Sequence, residues 1–496
     1  MPESGISSLK IYQQVRTKAN QVLKGDGLRA RAARGGAWLG SGSFAEQVSR
    51  FARNMLLTRL LAPSAFGAMA IVLSASSLIS TLSDVGVLPA VIQNPRGGDD
   101  KYLNAAWWLG IMRAICNYAM IFIAAPWIAQ FYGNADLSGL LRVAFISTVL
   151  EGMLSPRAKL AHKQMKFGRW AIISNGGGIC GVLLTVGLSF VLRDVWALAI
   201  GYCSENAFRC ILSYILFPGL PSLRWDKLAL RELLTFSRGM VGLSFLNLIF
   251  ARTDIFVLGK LYPSAVLGIY TMAVYLVQTP TSFLINMLSS TIFPAFSHVQ
   301  EDSERVNRIL TEVTSWIVIL GLPAVAVIWL CGSSLLTIAY GTRYATAAAA
   351  LTLAAAVMFL NTLNSLITSL FYAAGKPALH RRAVAASAVT MLIVIYPACK
   401  YLGVVGGQLA ALLAIAVSYF LQVARARDVT GLNILFYCKP FVPGTLVAGG
   451  ILVVGMGARL LGFATKPFAN IGVTLAICLV GYMLSVPVFA RIRKIA

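Results

Sequence analysis

FARNMLLTRLLAPSAFG, residues 51–67, recurs in the second half of the chain as FARTDIFVLGKLYPSAVLG, residues 250–268. Both copies open with Phe-Ala-Arg, continue as an apolar run with a basic residue near its end, and then reach Pro-Ser-Ala. A repeat at a spacing of roughly 200 residues is too long for a solenoid and is typical of a duplicated half-protein. Each copy predicts a hydrophobic helix with an arginine inside it, Arg53 or Arg252. We expect these two helices to face each other across a central cavity.

The composition indicates a membrane protein. Of the 496 residues, 58% are hydrophobic and 12% are charged, which is about half the charged fraction of a soluble domain. A net charge of +24 would favour nucleic acid as the partner of a soluble protein. In a membrane protein the same charge is expected in loops on one face, so we expect no nucleic-acid partner.

Cysteine and histidine usage does not predict a catalytic or metal site. The eight cysteines form no CxxC motif, and the three histidines lie in short polar connections. No ligand cluster or nucleophilic triad is visible in the sequence. We therefore expect no catalytic residues, no metal and no cofactor other than a coupling ion.

About fourteen apolar segments have the length that a bilayer span requires. They predict an all-α, polytopic transmembrane bundle, and the repeat divides it into two pseudo-symmetric lobes of six helices around the cavity. The predicted parts are a basic cytoplasmic N-terminal segment, 1–36; a first lobe, 37–217; a cytoplasmic linker, 218–232; a second lobe, 233–423; and two extra C-terminal helices with a short tail, 424–496.

The connections between these segments alternate between basic and poorly charged. The stretch 155–169 contains five lysines and arginines, for example, whereas 126–136 contains none. Because positively charged loops stay in the cytoplasm, the alternation predicts cytoplasmic locations for both termini. No connection is long enough to fold as a soluble catalytic domain.

Several charged residues remain inside the predicted helices, where an arginine costs about 2.5–3.5 kcal/mol on insertion scales. Glu46 and Arg50 lie four residues apart, as do Glu205 and Arg209, so each pair has a structural interpretation as an ion pair on one helix. Arg50 and Arg53 share a helical face, and a single Glu46 cannot neutralise both.

The arginines outnumber the acidic residues that could pair with them locally. Arg113 has no acidic residue within one turn, and Asp254 lies on a different face of its helix from Arg252. A guanidinium binds phosphate through two parallel hydrogen bonds, so the excess favours an anionic substrate in a membrane-embedded cavity. The candidate substrate-binding residues are Arg50, Arg53, Arg113 and Arg252. The candidate residues for coupling to H⁺ or Na⁺ are Asp254 and Glu46.

The run Gly176-Gly177-Gly178, followed by Gly181, resembles a phosphate-binding loop in composition. The run lies inside an apolar span, where small residues allow helices to approach closely. Close helix packing is therefore the better interpretation.

Five stretches are distinctive: LSDVGVLPAVIQNP (82–95), RLLAPSAFG (59–67), SPRAKLAHKQMKFGR (155–169), LGIYTMAVYLVQTP (267–280) and, the most specific, TIFPAFSHVQEDSERVNR (291–308). They resemble bacterial O-antigen and exopolysaccharide flippases of the multidrug/oligosaccharidyl-lipid/polysaccharide exporter superfamily, over roughly residues 37–425. The resemblance implies two six-helix lobes in a V, plus two extra helices. It implies translocation of an undecaprenyl-diphosphate-linked oligosaccharide from the cytoplasmic to the periplasmic leaflet of the bacterial inner membrane, driven by a cation gradient.

Two alternatives remain open. A multidrug exporter of the same architecture is disfavoured by the basic cavity. An integral-membrane polysaccharide polymerase or ligase would need long periplasmic loops with catalytic side chains. We therefore predict a transporter and not an enzyme, with the lipid-linked oligosaccharide and membrane lipids as partners. A polysaccharide polymerase and chain-length proteins are further candidate partners.

Overall fold

The computed structural model describes residues 28–84, 86–164, 167–222, 226–237, 241–461 and 467–479. Most of these residues are helical, and no strand occurs among them. The helices are α1 (Leu28–Leu60), α2 (Pro63–Leu82), α3 (Val87–Gln93), α4 (Asp100–Tyr132), α5 (Asp136–Ala144), α6 (Ile146–Gly152), α7 (Leu160–Lys163), α8 (Phe167–Ala171), α9 (Gly177–Leu192), α10 (Val195–Leu216), α11 (Lys227–Ser237), α12 (Val241–Leu261), α13 (Ser264–His298), α14 (Ser303–Tyr340), α15 (Ala348–Ala373), α16 (Pro377–Leu402), α17 (Val404–Thr430), α18 (Ile434–Cys438), α19 (Phe441–Leu460) and α20 (Pro467–Leu479).

The apolar segments of the sequence correspond to this helix list. Within the described residues, each predicted segment overlaps one helix or consecutive helices; the predicted segment 137–155, for example, overlaps α5 and α6. Eight helical stretches in the described part of the chain are long and apolar enough to cross a membrane on length and composition alone. Others, such as α1, α10 and α12, contain charged residues. The prediction of an all-helical, multi-pass membrane protein is confirmed. Most of the predicted N-terminal segment, residues 1–27, lies outside the described residues.

The two copies of the repeat fold in the same way. In each, the helix that contains Phe-Ala-Arg, α1 or α12, is followed by a short turn and a helix that starts at Pro-Ser-Ala, α2 or α13. Pro63 is the first residue of α2, where a backbone N–H has no intrahelical partner, and Pro263 immediately precedes α13. The same residue types therefore place the turn in both halves of the chain.

Helices α2 and α13 pack directly against each other near the ends where they begin. A β-carbon on Gly67 would collide with the backbone carbonyl of Ser264, and one on Gly268 would collide with the carbonyl of Pro63. The missing side chains let the two backbones touch, as small residues do in membrane helix pairs. One hydrophobic core cluster contains buried residues of both halves at this contact.

Most other packing stays within one half of the chain. In the first half α9 packs on α1 and α10, and α4 packs on α5 and α6. In the second half α12, α16 and α17 pack together, and α13 and α14 each pack on α15. Helix α19 lies against α14, and Asn470 of α20 donates a hydrogen bond to Ser334 of α14 at 2.9 Å. The exact boundaries of the two lobes stay a prediction.

A short helix, α11, connects the two halves and rests on the first. Its residues Ala229 and Leu233 are fully buried against residues of α3 and α4. Arg96 forms ion pairs with Asp226 at 3.0 Å and with Glu232 at 3.4 Å. The predicted linker, 218–232, is thus partly helical and is attached to the first half by both apolar and charged contacts.

Candidate functional site

Four charged side chains form a closed network inside the first half: Glu46 and Arg50 on α1, and Glu205 and Arg209 on α10. The Arg50 Nη2 atom lies 2.9 Å from Glu46 Oε1 and also pairs with Glu205 Oε1. The Arg209 Nη2 atom lies 3.2 Å from Glu46 Oε1 and 2.8 Å from Glu205 Oε1. Each arginine therefore contacts both carboxylates, and the network has no net formal charge.

Glycines of the neighbouring helix make room for this network. A β-carbon on Gly178 would lie 3.0 Å from Glu46 Oε1, and one on Gly181 would lie 2.6 Å from the Glu205 β-carbon. A β-carbon on Gly177 would collide with Arg209. The glycine run therefore serves close helix packing, as predicted, and not a phosphate-binding loop.

Arg50 and Arg53 have different electrostatic surroundings although they share a helix. Arg50 is held by two carboxylates, whereas Arg53 donates one long hydrogen bond, from Nε to Asn54 Oδ1 at 3.4 Å. Among the described residues Arg53 forms no ion pair. Tyr275 of α13, in the second half, is close enough to interact electrostatically with both arginines. Arg53 thus adds a positive charge that has no ion-pair contact among the described residues, close to Tyr275 of the second half.

A buried polar group lies in the second half. Asp254 of α12 accepts a hydrogen bond from the Tyr270 hydroxyl at 2.6 Å, and Gln408 Nε2 of α17 donates to the same hydroxyl oxygen at 2.6 Å. The three residues are 9%, 1% and 3% exposed, respectively. In the part of the chain that the structure describes, no cation lies within ion-pair distance of Asp254. Its carboxylate is therefore held by neutral donors.

Arg252 is half-buried on α12, two positions before Asp254, and it forms no ion pair within the described ranges. It shares this property with Arg53, which occupies the equivalent position in the first copy of the repeat. The two repeated arginines therefore both lack a carboxylate partner.

Arg113 of α4 reaches the break between α2 and α3. Its Nη1 atom lies 3.4 Å from Asp84 Oδ1, which also accepts a hydrogen bond from the Gly86 N–H at 2.9 Å. The Arg113 Nε atom is buried and has no hydrogen-bond partner among the described residues. The charge of Arg113 is thus partly compensated, by an acidic residue that lies far outside its own helical turn.

The predicted site residues therefore fall into separate groups. Glu46 and Arg50 belong to the four-charge network, Arg113 pairs with Asp84, and Asp254 is hydrogen-bonded to an uncharged side chain. Their assignment to substrate binding and coupling stays a prediction. Within the described residues, no group of three or more His, Cys, Asp or Glu side chains is placed to hold a metal ion.

The sequence interpretation missed Tyr270 and Gln408 as partners of Asp254. The signal for them is weak, because each is a single polar side chain inside an apolar segment. Such side chains are buried only where they find hydrogen-bond partners. A search for polar residues within apolar spans would have found Gln408 without revealing which carboxylate it serves.

Comparisons with known proteins give a family and a fold. The sequence profile of the family described as "Polysaccharide biosynthesis protein" matches residues 56–349. Lipopolysaccharide biosynthesis protein WzxC of Escherichia coli K12 is 22% identical over 372 residues, which cover 74% of this chain and 73% of WzxC. Succinoglycan biosynthesis transport protein ExoT of Rhizobium meliloti 1021 is 21% identical over 296 residues, which cover 60% of each chain.

Solved structures of transporters share the architecture. The lipid II flippase MurJ in its inward closed conformation superposes with a TM-score of 0.76 at 13% identity, covering 91% of this chain and 98% of MurJ. An inward-facing multidrug resistance transporter of the MATE family superposes with a TM-score of 0.56 at 14% identity, covering 78% of this chain and 96% of the other. At these identities the likeness establishes the fold alone.

Proposed function

Because the chain belongs to the polysaccharide biosynthesis protein family, we propose that it is a flippase for an undecaprenyl-diphosphate-linked oligosaccharide. The substrate is an exopolysaccharide or O-antigen repeat unit, and it moves from the cytoplasmic to the periplasmic leaflet. The names of similar proteins support a transporter and not an enzyme, since ExoT is called a transport protein and MurJ a flippase.

One observation carries the proposal: the repeated arginines, Arg53 and Arg252, are the two of the four candidate arginines that lack a carboxylate partner among the described residues. A guanidinium without an ion-pair contact inside a membrane is costly, so its presence there favours an anionic ligand. A diphosphate has enough acceptor oxygens to engage two guanidinium groups at once. A cationic drug would increase the electrostatic cost, which argues against the multidrug alternative.

The test replaces the two arginines and measures flipping of a fluorescent lipid-linked saccharide in proteoliposomes. We expect Arg53→Ala and Arg252→Ala to impair flipping severely, and the lysine variants to impair it partly, because lysine keeps the charge but loses the planar pair of donors. Arg343→Ala, at an exposed position after α14, is the control for loss of one positive charge. If both alanine variants insert normally and flip at the wild-type rate, these arginines do not bind the diphosphate. Transport of cationic drugs by those variants would then favour a multidrug exporter.

Asp254 is our proposed coupling residue, with H⁺ or Na⁺ as the ion. Its neutral partners, Tyr270 and Gln408, leave the carboxylate able to take a cation without displacing an arginine. Glu46, the other candidate, is a poorer one, because neutralising it would remove a partner from both Arg50 and Arg209. Ion binding drives the cycle only if the ion prefers one of the two conformations.

The membrane orientation follows from the charge of the connections. We place the protein in the bacterial inner membrane with both termini in the cytoplasm, because the basic connections then all lie on the cytoplasmic face. The turns after α1 and α12 then lie at the periplasmic end. A polysaccharide polymerase and chain-length proteins would act on the flipped product at that side.

A further inference from the structure

Two cationic side chains cross between the halves at the end where α2 and α13 touch. Arg59, in the last turn of α1, donates from Nη2 to the carbonyl oxygen of Ile338 at 3.0 Å. Lys260, in the last turn of α12, donates from Nζ to the carbonyl oxygen of Phe131 at 2.5 Å. The Lys260 ammonium also lies 4.4 Å from the centre of the Phe131 ring. Each cation belongs to one half and its acceptor to the other.

The two acceptor carbonyls occupy equivalent positions in the two halves of the chain. Phe131 lies in the last turn of α4 and Ile338 in the last turn of α14, and each of these helices is the third long helix of its half. Carbonyls in the last turn of a helix have no intrahelical donor and form the negative end of the helix dipole. A cation from the opposite half therefore satisfies an otherwise open acceptor in both places.

The donors also occupy matching places in the repeat. Arg59 precedes Pro63 by four residues, and Lys260 precedes Pro263 by three. At the same end, α2 and α13 approach closely at Gly67 and Gly268. The cross-half contacts at this end therefore form a set with approximate two-fold symmetry.

We propose that Arg59–Ile338 and Lys260–Phe131 form a two-part latch that holds this end of the molecule closed. The latch rests on the proposed function in one respect, since a transporter must open this end to complete its cycle. Both cations are exposed, so each contact is weak enough to break. The backbone contact at the two glycines lies at the same end and adds a close, shape-specific approach to the two latch contacts.

The latch is tested by distance measurements between spin labels, without substrate. The labels are placed on cysteines introduced into a variant whose eight native cysteines are replaced. Ala135 and Thr342 are exposed and lie just beyond α4 and α14, at the latched end. Gln164 and Ala378 are exposed and lie at the opposite end. Rocking of the two halves lengthens the first distance and shortens the second.

Arg59→Met and Lys260→Met remove one latch contact each. We expect either change to shift the ratio of closed to open molecules about five- to tenfold toward open, from a charge-assisted hydrogen bond at a helix end. The double variant is expected to shift it about 25- to 100-fold if the two contacts act independently. Lys260→Arg keeps a cationic donor and should keep the closed distances, which separates the latch from a general folding defect.

Lys400→Met is the matched control. Lys400 is an exposed lysine in the last turn of α16, at the same end of the molecule. Its ammonium lies 5.9 Å from the ring centre of its neighbour Tyr401. Among the described residues it makes no contact with the first half. A double variant with the wild-type distance distribution, or a Lys400→Met shift as large as that of Lys260→Met, would overturn the proposal. Because no substrate is present, neither result depends on what the protein transports.

Discussion

Replacing Glu205 by glutamine tests the physical account of the four-charge network. The substitution keeps the size of the side chain and removes its charge. The Glu205 side chain is 5% exposed and pairs with both Arg50 and Arg209. Glutamine leaves Glu46 as the single carboxylate that faces two guanidinium groups.

The expected loss of stability follows from the burial of the Glu205 side chain. Removing one partner of a buried ion pair costs about 3–5 kcal/mol, because a buried charge is left uncompensated. The Arg50 and Arg209 side chains are 23% and 25% exposed, and both keep their contact with Glu46. Partial solvation reduces the penalty, so we expect Glu205→Gln to lower the free energy of unfolding by about 2–3 kcal/mol.

The assay is a reversible unfolding titration in mixed micelles, followed by circular dichroism. Glu304→Gln is the matched control, because Glu304 and Arg308 form the same kind of i,i+4 pair at 3.7 Å, with side chains 88% and 61% exposed. We expect the control to change stability by less than about 0.5 kcal/mol. A loss for Glu205→Gln no larger than for the control would show that the network is solvated and would refute the argument from burial.

Three further predictions concern packing, coupling and topology. Gly181→Ala should lower stability by about 1–3 kcal/mol, because its β-carbon would lie 2.6 Å from that of Glu205; Gly187→Ala in the same helix has open space and should be neutral or slightly stabilising in the same titration. Asp254→Asn should abolish the dependence of flipping on the ion gradient while the protein still inserts, and retained dependence in proteoliposomes would remove Asp254 from the coupling mechanism. Reporter fusions at Gly133 should read periplasmic and fusions at Lys376 cytoplasmic; the reverse reading at either site would contradict the assigned orientation.

The sequence by itself determined the class of protein and the positions of its helices. In a bilayer every backbone polar group must be satisfied within its own segment, so an apolar run of sufficient length is a helix whatever surrounds it. The repeat was readable for a similar reason, because Pro63 and Pro263 act on the backbone locally, and each lies at the start of the helix that follows. These features depend on neighbours in the chain, and a single sequence contains them.

The partners of the charged residues were decided only by the tertiary structure. Spacing along the chain predicted ion pairs between Glu46 and Arg50 and between Glu205 and Arg209, and both pairs form. Whether the two pairs join into one network depends on how α1 packs against α9 and α10. The different surroundings of Arg50 and Arg53 have the same origin, since both lie on one helical face but only Arg50 forms ion pairs with carboxylates among the described residues. Coulomb interactions and hydrogen bonds between helices depend on distances of a few ångströms in space, and positions in a sequence do not specify such distances until the helices are packed.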